Sequence, residues 1–225
     1  MAVVGISPTT FILMLIAAFI ASPFHTVSGF AGALIMVISL APILGIKTVV
    51  PVVAVSALIN NMTRLWVFRR DLVKPIYFSL IVPALPGMVI GAFLFVYLSV
   101  QTIPLPLGIF MILSVPGRRL LKKRDVQVGR WGFAAIGPGY GVIAGVTMGA
   151  GLMLAPFLLG AGLVGSQIVA MTGAIGVTLN LTKVVVFGAS PTLNFSLICV
   201  GLILGLCVIP AAFSGRWLLL RTSIP

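Results

Sequence analysis

Residues 61–68 read NMTRLWVF and residues 180–187 read NLTKVVVF. The pattern Asn-x-Thr-(Arg/Lys)-x-x-Val-Phe therefore occurs twice, 119 residues apart (180 − 61), each time at the end of a hydrophobic run. Asparagine, threonine and a cation are the costly members of such a run. A polar cluster that recurs at fixed spacing is better evidence of internal relatedness than matches between leucines. The same offset places Ala31 and Gly32 on Ala150 and Gly151, Leu40 on Leu159, and Leu44 on Leu163. It also places Arg64 on Lys183. With a two-residue shift, Phe78, Ser79, Leu80 and Ile81 fall on Phe195, Ser196, Leu197 and Ile198. The chain reads as an internal repeat.

The surroundings of the repeat fix its solvent. Of the 225 residues, 60% are hydrophobic and 7% are charged, with mean hydropathy +1.29. No soluble domain has that balance, and a run of ~20 apolar residues spans a bilayer core. Such runs lie at about 8–28, 29–45, 48–68, 75–98, 103–120, 131–147, 148–160, 163–187 and 193–213. They are continuous rather than alternating, so they read as helices and not as barrel strands. The expected fold is an all-α polytopic membrane protein of seven to nine helices. Its parts are an N-terminal repeat over 1–117, a basic linker over 118–130 and a C-terminal repeat over 131–225.

The net charge of +12 does not point to nucleic acid. The cations sit in short loops between apolar runs, as the positive-inside rule expects. Arg118, Arg119, Lys122, Lys123, Arg124 and Arg130 make the linker cytoplasmic; Arg69, Arg70 and Lys74 do the same for the loop after the first motif. The loop after the second motif, 188–192, carries no cation. Equivalent loops with opposite charge bias predict inverted topology. The N-terminus is then outside, Arg216 and Arg221 are inside, and Lys47 is the single violation. No cation precedes Lys47, so no basic signal-peptide region opens the chain, and the first helix is expected to be retained. Segment 103–120 has no counterpart in the second repeat, so a last helix is expected to be missing.

Chemistry is sought at the short segments. Gly29 and Gly32 open one; Gly149 and Gly151 open the other. A glycine-broken helix turns free N–H groups and the positive end of its dipole toward a cavity. Transporters place such half-helix ends near the midplane to hold anions. The alternative is close packing of small residues. Asn61, Thr63, Asn180 and Thr182 can donate to an anion, or merely join helices by hydrogen bonds. Taken singly, each cation reads as snorkelling to headgroups, because Arg64 lies five residues from Arg69 and Lys183 five from Gly188. Taken as a pair on opposite faces of inverted repeats, Arg64 and Lys183 suit the two approaches of an anion path.

The acids define what is excluded. Asp71 and Asp125 are the only two, and both lie in basic loops. No carboxylate remains in the membrane to bind Na⁺ or carry a proton, and the usual means of hydrolysis or metal chemistry are missing. No Walker loop occurs. Neither an enzyme, a cofactor nor a metal is expected. Cys199 and Cys207 read as small hydrophobes. His25, just before the first glycine break, is the candidate for proton coupling; its other reading is a histidine hydrogen-bonded within the bundle.

Two related halves, each with a glycine break followed by a proline (Gly32 then Pro42, Gly151 then Pro156), resemble the sulfite exporter TauE/SafE family, also called TSUP. The resemblance covers about residues 10–215. It implies a plasma-membrane secondary transporter of small sulfur-containing or organic anions, with the proton-motive force as the coupling commonly suggested. Here the family's run of glycines is diluted to Gly29 and Gly32, and to Gly149 and Gly151. Two other readings stay open. One is a passive anion channel. The other is a non-transporting scaffold whose polar residues join helices and whose basic loops meet a partner or anionic lipid. The expected partners are a small anion and the bilayer; the oligomeric state is not readable.

Overall fold

A computed structural model describes residues 12, 14–16, 19, 31–102, 105, 109, 112 and 129–222. All regular structure among them is helical. In chain order the helices are α1 (Ala31–Leu44), α2 (Ile46–Phe68), α3 (Lys74–Tyr97), α4 (Arg130–Val146), α5 (Gly151–Gly160), α6 (Ser166–Gly188) and α7 (Phe195–Thr222), with a 3₁₀ turn at Arg69–Asp71 after α2. Ile46–Asp71, Lys74–Tyr97 and Ser166–Gly188 are long and apolar enough to span a membrane, and Gly32–Pro42 and Phe195–Pro210 are shorter apolar helices. The protein is thus an all-helical polytopic membrane protein. Residues 118–128 of the basic linker, His25 and Gly29 lie outside the described residues, while Arg130, placed in the linker by the sequence, opens α4.

The offset read from the sequence reappears in the elements. Short α1 precedes long α2 as short α5 precedes long α6. Both junctions turn on a glycine in the left-handed region, Gly45 (φ +76°) and Gly165 (φ +48°). Side chains with a Cβ rarely adopt that conformation, and the longer turn after α5 carries a second such glycine, Gly162 (φ +77°).

The directions of the helices follow from who meets whom. Asn61 packs on Gly176, while Arg64 packs on Gly173 and bonds Thr172. As α2 advances α6 recedes, so these two helices run antiparallel. Gly201 lies on Val55 and Gly205 on Ile59, so α7 runs parallel to α2. Gly137 meets Leu80 and Ala84, Gly141 meets Ala84 and Met88, and Gly145 meets Met88 and Ala92, so α3 and α4 also run parallel. Arg69, Arg70 and Lys74 at the start of α3 and Arg130 at the start of α4 therefore lie at one end of the bundle. The uncharged turn after α6 lies at the other.

The α3–α4 seam is built from missing side chains. Gly137, Gly141 and Gly145 recur every four residues on α4, and Gly87 and Gly91 face them from α3. A Cβ on Gly141 would overlap the backbone carbonyl of Ala84. Lipid tails are as apolar as leucine, so association inside a membrane depends on such close packing rather than on burial of apolar surface. The outer face of α3 presents Phe78, Val82, Ile90 and Phe93, as lipid contact requires.

α2 and α6 form the interior. Residues 49–57 of α2 are buried without interruption, as are residues 169–175 of α6. A helix buried all round shows no amphipathic stripe, which matches the unbroken apolar writing of both segments. Lys47, the exception to the charge rule, is not idle. Its Nζ donates to Val96 O at 3.3 Å, where the last turn of α3 leaves carbonyls unpaired and carries partial negative charge.

Candidate functional site

The second glycine break is a real interruption. α4 ends at Val146, Thr147 is extended (φ −106°, ψ 165°), Gly149 is left-handed (φ +83°), and α5 starts at Gly151. A Cβ at Gly149 would lie 2.7 Å from the Leu34 side chain, so space as well as backbone conformation selects glycine there. The first N–H groups of α5 have no side-chain cap.

A cavity of about 40 Å³ opens beside this break, between α2 and α6. It takes a few waters or one small anion, since a single water needs roughly 10–15 Å³ on this measure. Its polar lining comes from Asn61, Tyr140, Thr172, Asn180, Lys183 and the backbone of 148–151. Five of the sequence candidates therefore meet at one place: Asn61, Gly149, Gly151, Asn180 and Lys183. Ala57 and Gly176 also line the cavity, and Gly176 packs against Asn61.

Neither cation snorkels. Arg64 and Lys183 are each 1% exposed and are among the largest fully buried side chains. The reading of each charge alone as a headgroup anchor is thereby corrected. Five residues to the helix end is enough distance for a side chain to turn inward when its acceptors lie there. Arg64 donates from Nη1 to Asn61 Oδ1 at 3.2 Å and from Nη2 to Thr172 Oγ1 at 3.0 Å. Lys183 Nζ donates to Thr147 O, the carbonyl at the break, and to Met148 Sδ at 3.3 Å.

These bonds orient the asparagines. Arginine offers only donors, so Asn61 must turn its oxygen to Arg64, which leaves its NH₂ as the end available to the cavity. Asn180 spends one N–H on Gly176 O at 2.7 Å and retains the other. Along the helix axis, Asn61 is level with Gly176, four residues from Asn180, a separation of ~6 Å at about 1.5 Å per residue. Arg64 is level with Thr172, eleven residues from Lys183, which sets the cations ~16 Å apart along the axis on the same rise. The asparagines are central and the cations flank them.

Other candidates take different places. The hydroxyls of Thr63 and Thr182 bond Ile59 O and Thr178 O one turn back, each at 2.9 Å, and neither lines the cavity. Gly32 is buried in α1, and its neighbour Ala33 reaches the cavity wall. Tyr140 and Thr172 were not anticipated. Neither has a polar partner at the repeat offset, where Ala21 and Val53 stand, so the repeat gave no signal for them. Asn60 is also buried, and its Oδ1 has no partner among the described residues.

A helical membrane bundle whose two central helices flank a small cavity bearing a buried lysine at a helix break has the form of a membrane transporter. The chain matches the family described as Sulfite exporter TauE/SafE over residues 14–224, and it belongs to that family. No curated protein and no solved structure matches the chain.

Proposed function

We propose that the protein is a secondary transporter of small sulfur-containing anions, sulfite or sulfonates, across the plasma membrane. The substrate sits in the cavity between α2 and α6. The observation that carries this reading is convergence. The Asn61 NH₂, the Lys183 ammonium and the open N-terminus of α5 line one small enclosure within otherwise apolar helices. All three favour an anion. Arg64 holds Asn61 in its donating orientation from behind and adds positive potential. The two repeats have inverted topology, with the 118–130 linker and the Arg69–Lys74 loop cytoplasmic. The place of Lys183 in the cavity wall favours transport over the scaffold reading, whereas Arg64, which joins α2 to α6, fits either.

The test is uptake of sulfite by proteoliposomes holding the purified protein. Saturable uptake is expected. Asn61→Ala should lower uptake at limiting substrate by roughly tenfold and Lys183→Met by up to about a hundredfold, the range for losing one neutral or one charge-assisted hydrogen bond. Full uptake in folded Lys183→Met would sink the assigned site. Non-saturable, pore-like flux would identify a channel instead.

A further inference from the structure

We propose that Lys183 is the group through which proton movement is tied to anion movement. The inference rests on the transport reading above and deepens it. A lysine ammonium has three N–H donors. The described residues give Lys183 Nζ two acceptors, the Thr147 carbonyl and the Met148 thioether, and both are neutral. A neutral amine has two N–H groups, and these two acceptors satisfy it. The proton that makes it an ammonium adds a third N–H with no protein acceptor among those residues, on a side chain that lines the cavity. It also adds a charge in a buried site without a carboxylate. The protein's two acids, Asp71 and Asp125, both lie in basic loops. Burial of an unpaired charge costs several kcal/mol in general, and an anion in the cavity supplies both the missing acceptor and the missing counter-charge.

The other groups that face the site do not take this role. α2 brings Arg64, which keeps its proton in a protein and is engaged with Asn61 and Thr172. α4 brings the Tyr140 hydroxyl, a phenol that keeps its proton near neutrality; α1 and α5 bring Ala33, Gly151 and Leu154, which are not titratable. Lysine, unlike arginine, exchanges its proton when buried. The repeat therefore carries at its two equivalent positions one fixed charge and one exchangeable charge. In the cycle, the amine, a proton and the anion combine to an ammonium–anion pair on one side. On the other side the anion leaves and the proton returns to water, which restores the amine. A monoanion thus crosses with one proton and no net charge.

Methanesulfonate is the probe, because it is a monoanion that binds no proton near neutrality. In proteoliposomes with a pH-sensitive dye inside, wild-type uptake should acidify the lumen by about one proton per anion. Apparent affinity should weaken by up to about tenfold per unit of rising pH. Lys183→Arg should take up the anion with no acidification and a flat pH profile. An imposed K⁺ diffusion potential should leave wild-type uptake unchanged, a readout that needs no variant to fold. Acidification or a pH slope that persists in Lys183→Arg overturns the inference. So does wild-type uptake that follows the potential, while the transport reading stands. No saturable uptake of methanesulfonate or sulfite by the wild type overturns both.

Discussion

The smallest decisions in this protein are made by hydrogen bonds that leave a side chain only one way to face. Asn61 is a donor to the cavity because Arg64 occupies its oxygen. Gly176 is what permits Asn61 to lie there, since a Cβ at that position would sit 2.6 Å from the Asn61 amide atoms. An amide end can swing aside where backbone cannot. Gly176→Ala is therefore expected to weaken anion uptake by about tenfold, one neutral hydrogen bond, while the melting temperature in detergent shifts little. A large loss of melting temperature with unchanged uptake would reverse that assignment. Lys47→Ala should cost about 1 kcal/mol or less, the usual worth of a cation at a helix C-terminus, and thermal unfolding in detergent measures it. The polar cluster of the repeat was legible because its members are expensive and occur twice. The inward turn of Arg64 and Lys183 was not. Sequence distance to the helix end says how far a side chain can reach, but not where its acceptors are. Thr147 O, the acceptor of Lys183, is a backbone atom freed by the break and leaves no trace in residue type.

At the scale of elements, glycine has two opposite uses here. At Gly149 it interrupts, and at Gly137, Gly141 and Gly145 it lets an intact helix touch its neighbour's backbone. The two uses are alike in composition, which is why the breaks at Gly29–Gly32 and Gly149–Gly151 could be read either as site or as packing. Spacing separates them. The seam has glycine every fourth residue, whereas the break crowds Gly149 and Gly151 together beside an extended Thr147. Gly141→Ala should therefore destabilise the bundle by roughly 1–3 kcal/mol, the cost of overpacking where backbone must move. Chemical denaturation in mixed micelles reads that loss. A neutral result would mean α3 and α4 can separate without cost. Among the described helices the boundaries follow hydropathy to within three residues, except that α7 runs on to Thr222, nine residues past the expected end at 213 and through Arg216 and Arg221. The order α1–α2 and α5–α6 followed from the repeat, because a membrane leaves the backbone few choices.

At the scale of the molecule, orientation ties charge to geometry. Parallel α3 and α4 put Arg70 and Arg130 at one end, and the antiparallel pair α2 and α6 puts Ala189 at the other. With Cys199 and Cys207 replaced by alanine, Ala189→Cys should react with a membrane-impermeant maleimide in intact cells. Arg70→Cys should react only after permeabilisation. Labelling of both from outside would remove the sidedness proposed from the loops.

The glycine seam of α3 and α4 also bears on how such a protein can move. α3 comes from the first half of the chain and α4 from the second, and they are joined backbone to backbone. α7, from the second half, lies along α2 of the first in the same intimate way. The joints at which parts can slide are therefore not the places where the sequence divides. Any excursion that exposes the cavity first to one compartment and then to the other must carry mixed blocks, each assembled from both halves. The short helix α5, flanked by the left-handed glycines Gly149, Gly162 and Gly165, is the piece least bound to either block.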